Sequence, residues 1–211
     1  DKDLYRLYNV KKGLRNEDGT GVRIGLTRIA DVVGYEYKDG TKMPCEGRLI
    51  YRGYEIRALV ENKPHMGFEE TCFLLLFGWL PSAAQLQRFH ETLTRAYELP
   101  HRFMEANILP THSSHLMNRL QQMVLALFDY DEDPENTSPL NTLRQGVELL
   151  ARMPALITSL FQVKQHHYDR QSLTIHYPQE ELSIAENILY LLREDHSYTP
   201  AEAAALDVLL M

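Results

Sequence analysis

From Cys72 to Trp79 no polar side chain interrupts the chain, and Phe73, Leu74, Leu75, Leu76, Phe77 and Trp79 leave no wet face. Such a segment predicts a helix buried in a larger helical assembly. Further on, Leu116, Leu120, Met123, Val124 and Leu127 recur at i, i+4, i+7, i+8 and i+11. That spacing draws one apolar stripe along an amphipathic helix. Strand signal is confined to Val33–Met43, where residues alternate on either side of Asp39-Gly40, a pair that tolerates the positive φ angles of a tight hairpin turn.

Helix starts are written in local chemistry. Ser82 with Gln85, and Thr199 with Glu202, have capping-box spacing, and Ser138-Pro139 sets a hydroxyl cap before a proline at the first helical position. A long helix from Ser138 is predicted to end at His166, His167 and Asp169, where cationic side chains suit the helix dipole. The helix opened by Thr199 has no stop signal: it runs through Val208, Leu209 and Leu210 to Met211 without Gly, Pro or a basic residue. With no repeat and no linker longer than the polar loop Glu135–Ser138, the pattern predicts an all-α, multihelical unit over 1–211 with one short β-hairpin near 33–43. The uncovered apolar end, and Asp1 rather than Met at the start, read as cut points within a longer protein.

Composition narrows the function classes. There are 22 Lys and Arg against 29 Asp and Glu, a net charge of −7, so no broad positive field exists to attract nucleic acid or an anionic membrane. The longest apolar run, Cys72 to Phe77, is far shorter than a membrane span. Cys45 and Cys72 are too few and too scattered for a disulfide framework, which fits a reducing, cytoplasmic setting. No secretory signal opens the chain.

Candidate chemistry is sparse. His112 and His115 could pair as metal ligands at i, i+3, yet no acidic or cysteine partner is near in sequence, and a loop and N-cap before the 116–127 helix explains them better. Hence no metal and no resident cofactor is expected. Arg52 sits in a tight turn, either contacting an anion or tying the turn to Glu46 or Glu55.

The segment Gly47-Arg48-Leu49-Ile50-Tyr51-Arg52-Gly53-Tyr54-Glu55-Ile56, followed by Phe68-Glu69-Glu70 and Leu74-Leu75-Leu76-Phe77-Gly78-Trp79-Leu80-Pro81, closely resembles paired motifs of the citrate synthase family. Gly13–Asn16, Thr27–Asp31, Leu120–Leu127, Leu150–Pro154 and Asn187–Leu189 recur in the same order. The resemblance implies the N-terminal part of a multihelical large domain. It further implies an acyltransferase that condenses acetyl-CoA with oxaloacetate to citrate in the tricarboxylic acid cycle, acetyl-CoA being a substrate and not a cofactor. A 2-methylcitrate synthase using propionyl-CoA, or a helical interaction module without chemistry, are the alternatives. Family members are typically homodimers, which makes a homodimer or larger homo-oligomer the expected assembly.

In this family the helix matching Ser183–Arg193 offers polar residues one turn apart to the oxaloacetate, typically including a His. Here Glu186 and Tyr190 hold those positions, and another His, such as His176, is the alternative. No stretch resembles the family's H-x-E-H-G-G-G-N element or its catalytic Asp region. The resemblance therefore implies no catalytic residue within 1–211, no CoA-binding segment, and no activity for this span alone.

Overall fold

The structure, a computed structural model, describes residues 27–61 and 66–211. The Gly13–Asn16 motif lies outside the described residues. Contacts divide the chain into two compact units, 1–58 and 59–211.

In the first unit, β1 (Ala30–Lys38) and β2 (Thr41–Tyr51) form an antiparallel hairpin, and a short β3 (Tyr54–Glu55) adds a third strand beside β2. The hairpin is longer than its alternation suggested, because a register shift between Val33 and Tyr35 interrupts the pattern without ending the pairing. Asp39 and Gly40 turn with φ 52° and 77°. Arg52 and Gly53 repeat the device at φ 49° and 90°, so the G-x-L-x-Y-R-G-Y motif is the end of one strand, a two-residue turn and the start of the next. The Arg52 backbone N–H donates to the Ile29 carbonyl at 2.8 Å. The carboxylates proposed for Arg52 go elsewhere: Arg57 takes Glu46 at 2.6 Å and Arg48 takes Glu55 at 3.2 Å. Both pairs are exposed and contribute about 0–1 kcal/mol each. The short helix α1 (Ile56–Val60) follows.

The second unit is helical. It comprises α2 (Gly67–Phe77), α3 (Ala83–Thr94), a π-helical turn (Met104–Ile108), α4 (Leu116–Ala126), a 3-10 turn (Leu127–Tyr130), α5 (Pro139–Asp169), α6 (Ile184–Leu192) and α7 (Pro200–Leu210). The caps of α3, α5 and α7 lie where the sequence puts them: Ser82 and Thr199 close full capping boxes, and the Ser138 hydroxyl accepts from the Asn141 N–H. Among the described residues no helix is long and apolar enough to cross a membrane.

Helix α5, 31 residues and so about 46 Å long, threads two cores. Its first half sends Val147 and Ala151 against Phe73, Phe89, Leu93, Tyr97 and Ile184. Its second half sends Leu156, Leu160 and Val163 against Phe103, Ile108, Met123 and Leu127, which include the buried members of the predicted α4 stripe. Edge-on ring contacts join α2 to α3, with Phe73 to Phe89 at 5.6 Å and Phe77 to Phe89 at 6.3 Å. The apolar end of α7 is not one face: Leu210 packs on the first core, while Leu209 is 80% exposed.

His166 and His167 do close α5. His166 Nδ1 lies 2.8 Å from the Gln171 carbonyl, and the His167 ring stacks on His112 at 3.8 Å. Burial together with the neighbouring His112 and His166 holds His167 below the usual histidine range. His115 is the N-cap residue of α4, with its N–H donating to the Ser113 hydroxyl.

Two buried carboxylates join the helices end to side. Asp207 of α7, 5% exposed, accepts from the first N–H groups of α2, Gly67 at 2.9 Å and Phe68 at 3.1 Å. A Cβ on Gly67 would stand 2.7 Å from the Asp207 Oδ2, so only glycine admits this approach. One turn into α2, the fully buried Glu69 accepts from the first N–H of α6, Ile184, at 2.7 Å. Its other oxygen, Oε2, is buried without a hydrogen-bond partner. Burial therefore pushes the Glu69 carboxyl up to about 7, with Asp207 and Glu186 adding repulsion and the Ile184 N–H opposing.

Because folded Glu69 holds its proton to higher pH than the unfolded chain does, its contribution is fully present below about 4.5 and fades as pH rises through about 7. The linked loss is on the order of 3 kcal/mol. Urea unfolding of Glu69→Gln, measured from pH 5 to 8, is expected to lose this downward slope while keeping an acceptor for Ile184. A wild type equally stable across that range would refute the assignment.

Candidate functional site

Helix α6 carries the sequence-predicted site residues, and three attachments fix its start. The Ser183 hydroxyl accepts from the Glu186 N–H at 3.3 Å while Glu186 Oε2 accepts from the Ser183 N–H at 2.9 Å, a capping box. Glu69 takes the Ile184 N–H. Fully buried Asn187 accepts from Gln179 N–H and donates to the Gln179 and Leu182 carbonyls, closing the preceding loop. With these ends satisfied, the side chains beyond the first turn are held in register.

Glu186 and Tyr190 have different surroundings. Glu186 caps its own helix and lines an acidic cavity with Glu91, Glu180 and Glu181. A carboxylate so placed repels an anionic oxo acid. The capping role had a signal, since Ser183-x-x-Glu186 has the same spacing as the two boxes recognised at Ser82 and Thr199.

Tyr190 lies in an aromatic and imidazole cluster. Its ring stacks on His196 with centroids 4.0 Å apart and planes 12° apart, and His176 meets the His196 ring edge-on at 4.0 Å. His196 adopts φ 57°, and its Nδ1 lies 3.1 Å from the Tyr190 carbonyl, which fixes that ring over the tyrosine. Burial first, then the neighbouring His196, holds His176 below the usual histidine range, although Glu194 opposes. The His176 Nε2 is buried with no hydrogen-bond partner. His176 was visible from the sequence as a candidate imidazole, whereas His196 was not, and the loop after α6 folds it back beneath Tyr190.

His176 also faces a second cavity, of about 200 Å³, shared with His101, Arg102, Ser159 and Tyr177. Glu98 and Glu105 stand on its rim, so its walls carry both signs. Among the described residues, the side chains of Arg102 and His101 form no ion pair or hydrogen bond. Imidazoles, a phenol and a guanidinium can together orient and hydrogen-bond a small carboxylate.

Comparison with known proteins agrees with the helical arrangement. A family profile described as citrate synthase, C-terminal domain, matches residues 17–211. The citrate synthase of Heyndrickxia coagulans is 25% identical over 164 residues, covering 78% of this chain and 42% of its own. The 2-methylcitrate synthase 2 of Corynebacterium glutamicum is 31% identical over 168 residues, covering 77% and 40%. Among solved structures, the citrate synthase of Pyrobaculum aerophilum superposes with a TM-score of 0.72 at 26% identity over 95% of this chain and 49% of its own. The ternary complex of carboxymethyl coenzyme A and oxaloacetate with the Thermoplasma acidophilum enzyme gives a TM-score of 0.64 at 22% identity, over 81% and 40%. The chain thus spans less than half the length of these relatives. With a profile matched along nearly its whole length, the chain belongs to the citrate synthase family.

Proposed function

We propose that this chain is the N-terminal part of the large domain of a cytoplasmic, homo-oligomeric acyltransferase that condenses acetyl-CoA with oxaloacetate to citrate in the tricarboxylic acid cycle. The observation that carries the reading is the family match over residues 17–211 together with a helical fold shared with a citrate synthase at a TM-score of 0.72. A second reading, condensation of propionyl-CoA by a 2-methylcitrate synthase, is favoured by the 31% identity to such an enzyme. The two reactions differ in acyl pocket shape, where one methylene is worth about 1–3 kcal/mol.

The condensation needs a carboxylate to take a weakly acidic methyl proton, a neutral donor for the enol oxygen, and cations around the oxo acid carboxylates. Among the described residues, the buried carboxylate Glu69 has a raised pKa, and it is committed to the N-terminus of α6. The condensing groups are accordingly assigned to sequence beyond Met211. What this chain contributes is the floor of the oxo acid site: Tyr190, steadied by His196 and flanked by His176, whose neighbouring cavity is lined by Arg102. Glu186 is left to the capping of α6.

In a thiol-release assay with saturating substrates, the isolated 1–211 chain is expected to show no turnover of either acyl-CoA. Turnover above background would place the condensing groups inside this span. In the intact protein, Tyr190→Ala is expected to raise the KM for the 2-oxo acid about ten- to a hundredfold, the value of one hydrogen bond to a charged ligand, with the KM for the acyl-CoA little changed. Lowered thermal stability with both KM values unchanged would instead leave Tyr190 a packing residue beneath His196.

A further inference from the structure

The cavity of about 200 Å³ beside His176 is enclosed by α5, the segment 98–105 and the loop before α6. Its most buried lining residues, Ala155 at 6% and Ser159 at 5% exposure, stand one turn apart on α5 and form its base. A hydroxyl inside a helix ordinarily turns back to a carbonyl of the preceding turn, as the adjacent Thr158 does to Pro154 at 2.7 Å. Ser159 makes no such bond. Among the described residues its hydroxyl has no partner, and its oxygen is not sealed by packing as the His176 Nε2 is. A serine this buried that lines a cavity has only the cavity to face, so the hydroxyl is open to a ligand as donor or acceptor.

The rim supplies charge of both signs. Arg102 stands on it with Glu98 and Glu105, all three exposed, and among the described residues none of these side chains has an ion pair or hydrogen bond. A simple anion would meet the two glutamates along with the arginine, and a simple cation would meet the reverse. A ligand that carries both charges is attracted by both. Between rim and base the walls are Leu99, Met104 and Pro178, which suit an aliphatic group.

We propose that this cavity binds an α-amino acid with an aliphatic side chain. Its carboxylate accepts from Arg102 and from the Ser159 hydroxyl, its ammonium faces Glu98 or Glu105, and its side chain lies against Leu99, Met104 and Pro178. The proposal does not rest on the oxo acid assignment, because Tyr190 is not among the residues that line this cavity.

Calorimetric titration of the intact protein with L-leucine as probe tests it, run at about 0.15 M salt so that diffuse attraction is screened beyond about 8 Å. Saturable one-to-one binding is expected. The probes 4-methylpentanoate and 3-methylbutylamine keep the aliphatic group and one charge each, and both are expected to bind about tenfold more weakly or worse. Ser159→Ala removes the hydroxyl with a residue that favours the helix, and is expected to weaken leucine about ten- to a hundredfold, the value of one hydrogen bond to a charged group. Arg102 has φ 60°, a conformation that asparagine tolerates, so Arg102→Asn removes the cation while sparing the backbone and is expected to weaken leucine by a similar factor. Absence of saturation, binding of either single-charge probe as tight as that of leucine, or affinity unchanged in either variant would overturn the proposal.

Discussion

Glu69 reaching the first N–H of α6 is the contact on which the arrangement of this helical unit depends. A helix N-terminus needs acceptors, and burying it without them costs about 1–3 kcal/mol for each orphaned N–H. Here the acceptors come from other helices: α7 supplies Asp207 to α2, and α2 supplies Glu69 to α6. Removing water from Glu69 nonetheless costs enough to lift its pKa, and with its Oε2 unpartnered it is a strained link in that relay. The same burial and charge push the Cys72 thiol up to about 12, which keeps it inert, and raise the Tyr97 phenol, whose hydroxyl donates to the Leu182 carbonyl.

Anchoring α6 in this way gives it two chemically distinct flanks. The first turn, capped by Ser183 and Glu186, faces carboxylates; one turn later Tyr190 faces imidazoles. Residues four apart share a face of a helix, yet what they meet is decided by the loops folded against them. The loop 193–199 brings His196 under the tyrosine through the Arg193 pair with Glu202 at 2.6 Å and the turn that admits φ 57° at His196. An anion is thereby repelled from the first flank.

What the sequence made legible was local. Capping boxes at Ser82 and Thr199, the proline-started α5, the α4 stripe and the Asp39-Gly40 turn are each decided by residues within a few positions of one another, and each stands in the structure. Glu69 and Asp207 were not legible as caps, since their partners lie 115 and 140 residues away. Within the Phe68-Glu69-Glu70 motif the sequence displays family likeness but not the reason for a buried acid. The capping role of Glu186 was legible in its spacing from Ser183, which the family position does not display. The cluster around Tyr190 was half legible, because His176 was visible as an imidazole in reach whereas His196 enters through a backbone turn that no periodicity signals.

Amide hydrogen exchange resolved to single residues tests the central claim most directly. First-turn N–H groups of a helix ordinarily exchange early, having no intrahelical acceptor. The relay of carboxylates instead requires Ile184, Gly67 and Phe68 to be protected as strongly as interior amides of α6 and α2. Exchange of Ile184 as fast as that of Ala83, the first residue of a solvent-facing helix, would show that Glu69 does not hold α6.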